Sequence, residues 1–260
     1  MKQRGFTLIE MVLTIIVGGI LVLGIAGFVE LGTKGYSTTV DRQRLQTQAK
    51  FVMEKLTREA RHAVPNVFVD YGVGNDRCIS FYPIVESGFY SVSGADIQFI
   101  VGNPSASVSS LNGLTLLINP TQQLSNNQSL SDLNNSFALN PSTVGTLTVS
   151  GAVGATFVLA NQANSLVGGS VVNRHYITDE NRQITYCVST DERVMRGEGS
   201  TALLADMAPL TDAAWVSVSG AISYQPASVQ YNGVVHADLQ FSQNDELTRF
   251  QQDVQVLNVP

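Results

Sequence analysis

From Phe6 to Leu31 the chain reads FTLIEMVLTIIVGGILVLGIAGFVEL, 26 residues in which only Glu10 and Glu30 are charged. As a helix rising 1.5 Å per residue this segment covers about 39 Å, more than the ~30 Å hydrocarbon core of a bilayer. Lys2 and Arg4 precede it, and no Lys/Arg cluster follows it closely. Positive residues stay on the cytoplasmic side, so the bulk of the chain is placed outside. A secretory signal would have an apolar core of about 7–15 residues followed by a small-x-small site. This run is longer, and GIAGF at 24–28 is only a poor approximation to such a site. An ordinary single-pass anchor explains the length but leaves Glu10 unexplained. A carboxylate at membrane depth costs about 2.5–3.5 kcal/mol on insertion scales.

After Gly32 and Gly35 the pattern changes to that of an amphipathic helix. Leu45, Ala49, Val52, Leu56, Ala60 and Ala63 form one stripe at intervals of three and four, with the charged residues mostly elsewhere. Glu54 and Arg58 are spaced for an i,i+4 pair. Pro65 disfavours helical geometry at Val64, so AVPN at 63–66 ends the helix. The periodicity predicts one helix from about Phe6 to Ala63.

Beyond Pro65 the chain reads as β. Short alternating runs such as RCISFYPIV, ADIQFIVG, GLTLLINP, ATFVLA and RQITYCVS are separated by turn residues. HYITDENRQITYCVSTDERVMRG reads as consecutive antiparallel strands joined at TDENR and STDER, and the C-terminal VVHADLQFSQNDELTRF as two strands around QNDE. Between Asp96 and Arg174 the only charge is Asp132. This uncharged stretch is an insertion of short strands or contains a flexible loop at 122–136. Charged residues make up 14% of the chain and the net charge is −6, so non-specific binding to phosphate backbones is not expected and no nucleic acid is assigned.

No residue pattern supports catalysis. His62, His175 and His236 are scattered, and there is no nucleophile elbow, phosphate loop or zinc spacing. Asp179–Glu180 and Asp191–Glu192 lack the order of an EF-hand loop and read as solvated hairpin turns rather than calcium ligands. Phe68 and Trp215 read as core or core-edge residues. No metal and no cofactor is expected. Cys78 and Cys187 are an even pair in a chain directed outward, which suggests one disulfide. It would close a loop of roughly 110 residues, worth about 4–5 kcal/mol in the chain-entropy account. Two buried reduced thiols are the other reading.

RGFTLIEMVLTIIVGGILV resembles the N-terminus of the type IV pilin and pseudopilin superfamily, the class III signal peptides. The resemblance implies cleavage between Gly5 and Phe6 by a prepilin peptidase, N-methylation of Phe6, and a filament-assembly role for Glu10. Phe6 and Glu10 are four residues apart, an axial offset of about 6 Å. A neighbour displaced along the axis could place its terminal ammonium beside this carboxylate. Each charge alone is costly at low dielectric, and pairing cancels part of that cost.

The resemblance implies an α+β, pilin-like fold: a long N-terminal helix, its first half spanning the membrane, packed on an antiparallel β-sheet head with a β-rich insertion. The expected divisions are a leader at 1–5, a transmembrane half at 6–31, an amphipathic half at 32–63 and a periplasmic head at 64–260. YCVSTDERVMRG resembles a hairpin of the larger minor pilins and pseudopilins, and FVMEKLTREARHAVPN is similar to the helix exit of MshO-like minor pilins of the mannose-sensitive haemagglutinin (MSHA) pilus. That likeness implies a non-enzymatic minor pilin that initiates or caps assembly of a type IV pilus. A type II secretion pseudopilin, or a tip subunit with an adhesin or DNA-binding role, are the alternatives. The implied partners are other pilins through the N-terminal helix, the prepilin peptidase/methyltransferase, the inner-membrane assembly platform and inner-membrane lipid. The implied location is the inner membrane, single-pass with a periplasmic head, or a cell-surface pilus.

Overall fold

The computed structural model describes residues 6–73, 76–125, 128–147, 154–199, 207–212, 214–227, 231–244 and 246–256. One α-helix, α1 (Leu8–Arg61), runs unbroken for 54 residues, about 80 Å. It stops two residues short of the expected end. His62 caps it, donating its amide to the carbonyls of Glu59 and Ala60, and Ala63 already belongs to a strand.

Fifteen strands follow among the described residues. The first two are β1 (Ala63–Val73) and β2 (Asp76–Pro83). Then come β3 (Glu86–Ser93), β4 (Asp96–Val101), β5 (Thr115–Ile118), β6 (Ser136–Ala138), β7 (Val144–Leu147), β8 (Thr156–Leu159) and β9 (Arg174–Thr178). The last are β10 (Ile184–Val188), β11 (Val194–Glu198), β12 (Ala208–Pro209), β13 (Ser217–Gln225), β14 (Gly233–Gln243) and β15 (Glu246–Val256). They form three antiparallel sheets: β1-β2-β10-β11-β12, β13-β14-β15, and the seven-stranded β6-β5-β9-β3-β4-β8-β7.

The head is built by the first two sheets around the last five turns of α1. Leu45, Ala49, Val52, Leu56 and Ala60 are fully buried against Phe68, Ile79, Phe81 and Tyr186 of one sheet and Val218, Val235, Leu239 and Phe241 of the other. In β14 the alternation is complete, with Val235, Ala237, Leu239 and Phe241 turned inward. That is the period-two pattern of a half-covered strand. Phe68 stacks on Tyr224 at 4.1 Å between centroids, joining the two sheets. β1 bulges at Asn66, whose φ of 61° suits asparagine better than a β-branched residue. Its side chain donates to the Pro120 carbonyl (2.9 Å) and accepts from the Tyr224 hydroxyl (3.1 Å), so one buried amide ties β1 to two other regions.

The seven-stranded sheet is an insertion. β2 and β10 are neighbours, with Phe81 opposite Ile184 and Arg77 opposite Val188, and everything between them leaves and returns at that seam. The insertion has its own core of Ile97, Phe99, Leu116, Phe157 and Ile177. A second apolar layer, Leu117, Leu124, Leu130, Leu133 and Tyr176 against Val67, Val69 and Tyr82, seats it on the back of β1 and β2. The run at 122–136 is thus anchored by three buried leucines, and Ser129 closes a capping box over the single 3-10 turn Leu130–Asp132. Five strands are absent from the sequence reading, β1, β3, β6, β12 and β13; of these β3 and β13 are rich in Ser and Gly, which hides their alternation. TDENR does not join a hairpin. β9 belongs to the inserted sheet and β10 to the head, because the alternating faces of each are claimed by different cores. STDER does join the paired strands β10 and β11.

Candidate functional site

Among the described residues, the N-terminal part of α1 carries the longest run of exposed large apolar side chains. Phe6 is 77% exposed, and every large apolar side chain from Leu8 to Leu31 is likewise uncovered by the head. The helix here is long and apolar enough to cross a membrane. A continuous apolar surface of this size marks a membrane or partner contact. Thr7 is extended (φ −85°, ψ 148°) and its carbonyl accepts from the amides of Glu10 and Met11, which opens the helix. The Thr7 side chain makes no capping bond. Glu10 sits exposed in that first turn, where the helix dipole favours an anion. Gly18, Gly19, Gly24 and Gly27 face open space, and a Cβ added at any of them would meet nothing within 4 Å. They leave shallow places along the rod at which another helix can approach closely. Of the residues expected to act here, Phe6 and Glu10 are both exposed; Gly5 and the rest of the expected leader lie outside the described residues.

The rod is coupled to the head by charge as well as by its apolar stripe. Asp41, nearly buried, accepts from the side-chain amides of Gln243 (2.9 Å) and Asn244 (3.0 Å) at the β14–β15 turn. Arg42 pairs with Glu246 at 3.2 Å. At the far end of α1, one Glu59 oxygen accepts from the Tyr186 hydroxyl (2.6 Å) and from Arg196 Nε (2.9 Å), and the other lies 3.3 Å from Lys55 Nζ. Burial pushes the Glu59 carboxyl up, but the bonds from Arg196 and Tyr186 and the charges of Arg196 and Lys55 outweigh it, so the group lies below its ordinary value. The same burial, with the bond to Glu59, raises Tyr186. The head is therefore pinned near both ends of the helix half that it covers.

Sequence reasoning passed over Asp41 and Glu59. The signal was present: Asp41 is four residues before Leu45 and Glu59 three after Leu56, so each carboxylate falls on or beside the apolar stripe. A carboxylate there needs donors from whatever packs on the stripe.

Cys78 and Cys187 face each other in register across β2 and β10, with Cα atoms 4.1 Å apart and their sulfurs bonded. The histidines are dispersed. His62 ends α1, His236 lies on the outer face of β14 between Asp253 and Gln225, and His175 is buried in the inserted sheet. Asp179 caps a 3-10 turn through the Asn181 amide, and Glu180 accepts from the Leu130 amide. Among the described residues no three His, Cys, Asp or Glu side chains are grouped to hold a metal ion. Phe68 is in the core as expected, whereas Trp215 is 54% exposed with Arg44 stacked over it at 5.1 Å. The apolar stripe of α1 is already covered by the two head sheets, which leaves Trp215 at the rim.

Residues 1–26 match the family model of the prokaryotic N-terminal methylation motif. No curated protein and no solved structure gives a significant match to the chain. The motif implies processing by a prepilin peptidase and assembly with other pilins, and it favours a structural subunit over an enzyme. Together with the uncovered apolar helix and the antiparallel head, it supports a class III signal and a type IV pilin-like or pseudopilin subunit.

Proposed function

We propose that this chain is a minor pilin-like subunit that initiates or caps a type IV pilus of the MSHA type. The peptidase removes residues 1–5, Phe6 is N-methylated, residues 6–31 lie in the inner membrane, and the head from 64 onward faces the periplasm. One observation carries the reading: an apolar rod, uncovered by its own head, bears a single early carboxylate, Glu10, exposed in its first turn. In the bilayer, lipid covers the rod. In a filament, neighbouring rods cover it, and the Phe6 ammonium of one meets Glu10 of the next. The inserted sheet supports minor status, since a head enlarged by seven more strands is bulky for a repeating unit.

The test is Glu10→Ala in cells that assemble filaments. The variant is cleaved and methylated as the wild type but is lost from sheared filaments. Cleavage with wild-type incorporation would refute the pairing. A bulky or charged residue at Gly5 leaves the leader uncut. Mass spectrometry of sheared filaments finds peptides of the methylated form. Confinement of that form to the inner membrane would overturn the pilus reading in favour of a secretion filament.

A further inference from the structure

The seam between β2 and β10 joins residues that are far apart in the chain: the hydroxyls of Ser80 and Thr185, 105 positions apart, are 2.7 Å from each other. Closing such a long loop is opposed by chain entropy. Two separate devices close it, one near each end of the seam. At the Phe81–Ile184 end the base of the insertion does so. The Val85 amide donates to the Ile177 carbonyl (2.8 Å), the Thr178 hydroxyl donates to the Pro83 carbonyl (2.7 Å), and β3 pairs with β9 from Glu86 and Ile177 onward. While the inserted sheet is folded, its base holds the two strand ends side by side. Near the other end the Cys78–Cys187 bond closes the same loop covalently, buried against Met195 and Met207. Either device keeps the two strands in register. Only the disulfide does so when the inserted sheet is open.

We propose that this disulfide insulates the head from the insertion. It holds the seam shut when the seven-stranded sheet unfolds or is pulled apart, so the part of the molecule that grips α1 keeps its form. The placement makes the protection direct. Tyr186, beside Cys187 on β10, is the residue whose hydroxyl bonds Glu59 of the helix. If β10 leaves β2, the clamp on α1 goes with it. The insertion's own core shares no residue with the core around α1, and the layer between them (Leu117, Leu124, Leu130 and Leu133 against Val67, Val69 and Tyr82) is separate from both, so opening the insertion uncovers that layer of β1 and β2 but removes no residue from the core that holds α1. This inference rests on connectivity and holds whichever filament the chain enters.

The test is hydrogen exchange on the full-length chain in detergent micelles, in four states: wild type and Phe157→Ala, each oxidised and reduced with a water-soluble phosphine. Phe157 is fully buried in the insertion and stacks on Phe99 at 5.3 Å; if its loss leaves the inserted sheet protected, Phe99→Ala/Phe157→Ala is used. The inserted strands exchange quickly in the variant in both redox states. The head strands β10, β11 and β13–β15 stay protected in the oxidised variant and in the reduced wild type. In the reduced variant alone they open more often, on the order of a hundredfold, because the seam must then close a long free loop. Cys78→Ala/Cys187→Ala reproduces the reduced state without depending on access of the phosphine. Three results would overturn the proposal: a head that opens in the oxidised variant, a head that stays closed in the reduced variant, or a reduced wild type that opens as far as the reduced variant.

Discussion

Replacing Glu59 by Gln removes the charge on which the upper clamp between α1 and the head converges, with little change of shape. In the wild type one carboxylate oxygen receives two hydrogen bonds, 2.6 Å from Tyr186 and 2.9 Å from Arg196. Glu59 and Arg196 are only 15% and 18% exposed, so water recovers little of what is lost. Hydrogen bonds involving a charged group are each worth about 1.5–3 kcal/mol, and leaving one member of a buried pair unpartnered costs about 3–5 kcal/mol. Arg196 retains Glu198 at 3.4 Å, and a neutral amide oxygen still accepts one bond. The net loss is therefore about 2–4 kcal/mol. Urea unfolding of the full-length chain in detergent, followed by Trp215 fluorescence, reads it as a lower midpoint at unchanged slope. The pH dependence adds a second check. The folded carboxyl lies below its ordinary value of 4.5, so its contribution is complete above that value and is lost as the pH falls through the lowered one. The wild type and Glu59→Gln therefore differ by a constant amount near neutrality and converge in acid. A loss under about 1 kcal/mol, the range of exposed ion pairs, would refute the clamp.

His175 is fully buried, its ring nitrogens have no hydrogen-bond partner among the described residues, and burial pushes it down to about 4 from 6.5. The folded state holds it neutral, so the inserted sheet is at full stability above pH 6.5 and loses about 1.4 kcal/mol per pH unit between 6.5 and about 4. His175→Leu flattens that slope, as measured by exchange protection of β3, β4 and β9 against pH. Gly88→Ala would place a Cβ 1.8 Å from the Ile100 carbonyl oxygen, a clash with the neighbouring backbone. It destabilises the insertion by about 3 kcal/mol and leaves protection of the β13–β15 sheet unchanged. Asp41→Ala removes the acceptor of Gln243 and Asn244, which costs about 2 kcal/mol and shows as faster exchange at the β14–β15 turn.

Helical signals were read well because they are local. The stripe Leu45, Ala49, Val52, Leu56 and Ala60 repeats within a turn, and each of these residues is buried on the face that the repeat designates. The predicted end missed by two residues because Ala63, at the same spacing, is buried by β-pairing with Pro83 rather than by helix packing. Strands with strong alternation, such as β4, β8 and β14, were visible. β3 and β13 were not, since serines and glycines stand where apolar residues would mark a face. The assignment of β9 and β10 to different sheets was beyond any reading of neighbours, because five intervening residues suit a hairpin as well as a crossover.

Residues 1–31 carry their meaning in order and composition alone: a basic leader, a glycine, an apolar run long enough for a bilayer, and one early carboxylate. Among the described residues, nothing in the head covers the large apolar side chains from Phe6 to Leu31. The rest depended on the folded chain. That β2 and β10 form one seam, that a disulfide and the base of an insertion close it from opposite ends, and that Glu59 meets Arg196 across 137 positions are long-range facts. Such contacts form only where burying two sheets against a helix outweighs the entropy of closing long loops, and that balance is struck by the whole chain rather than by any stretch of it.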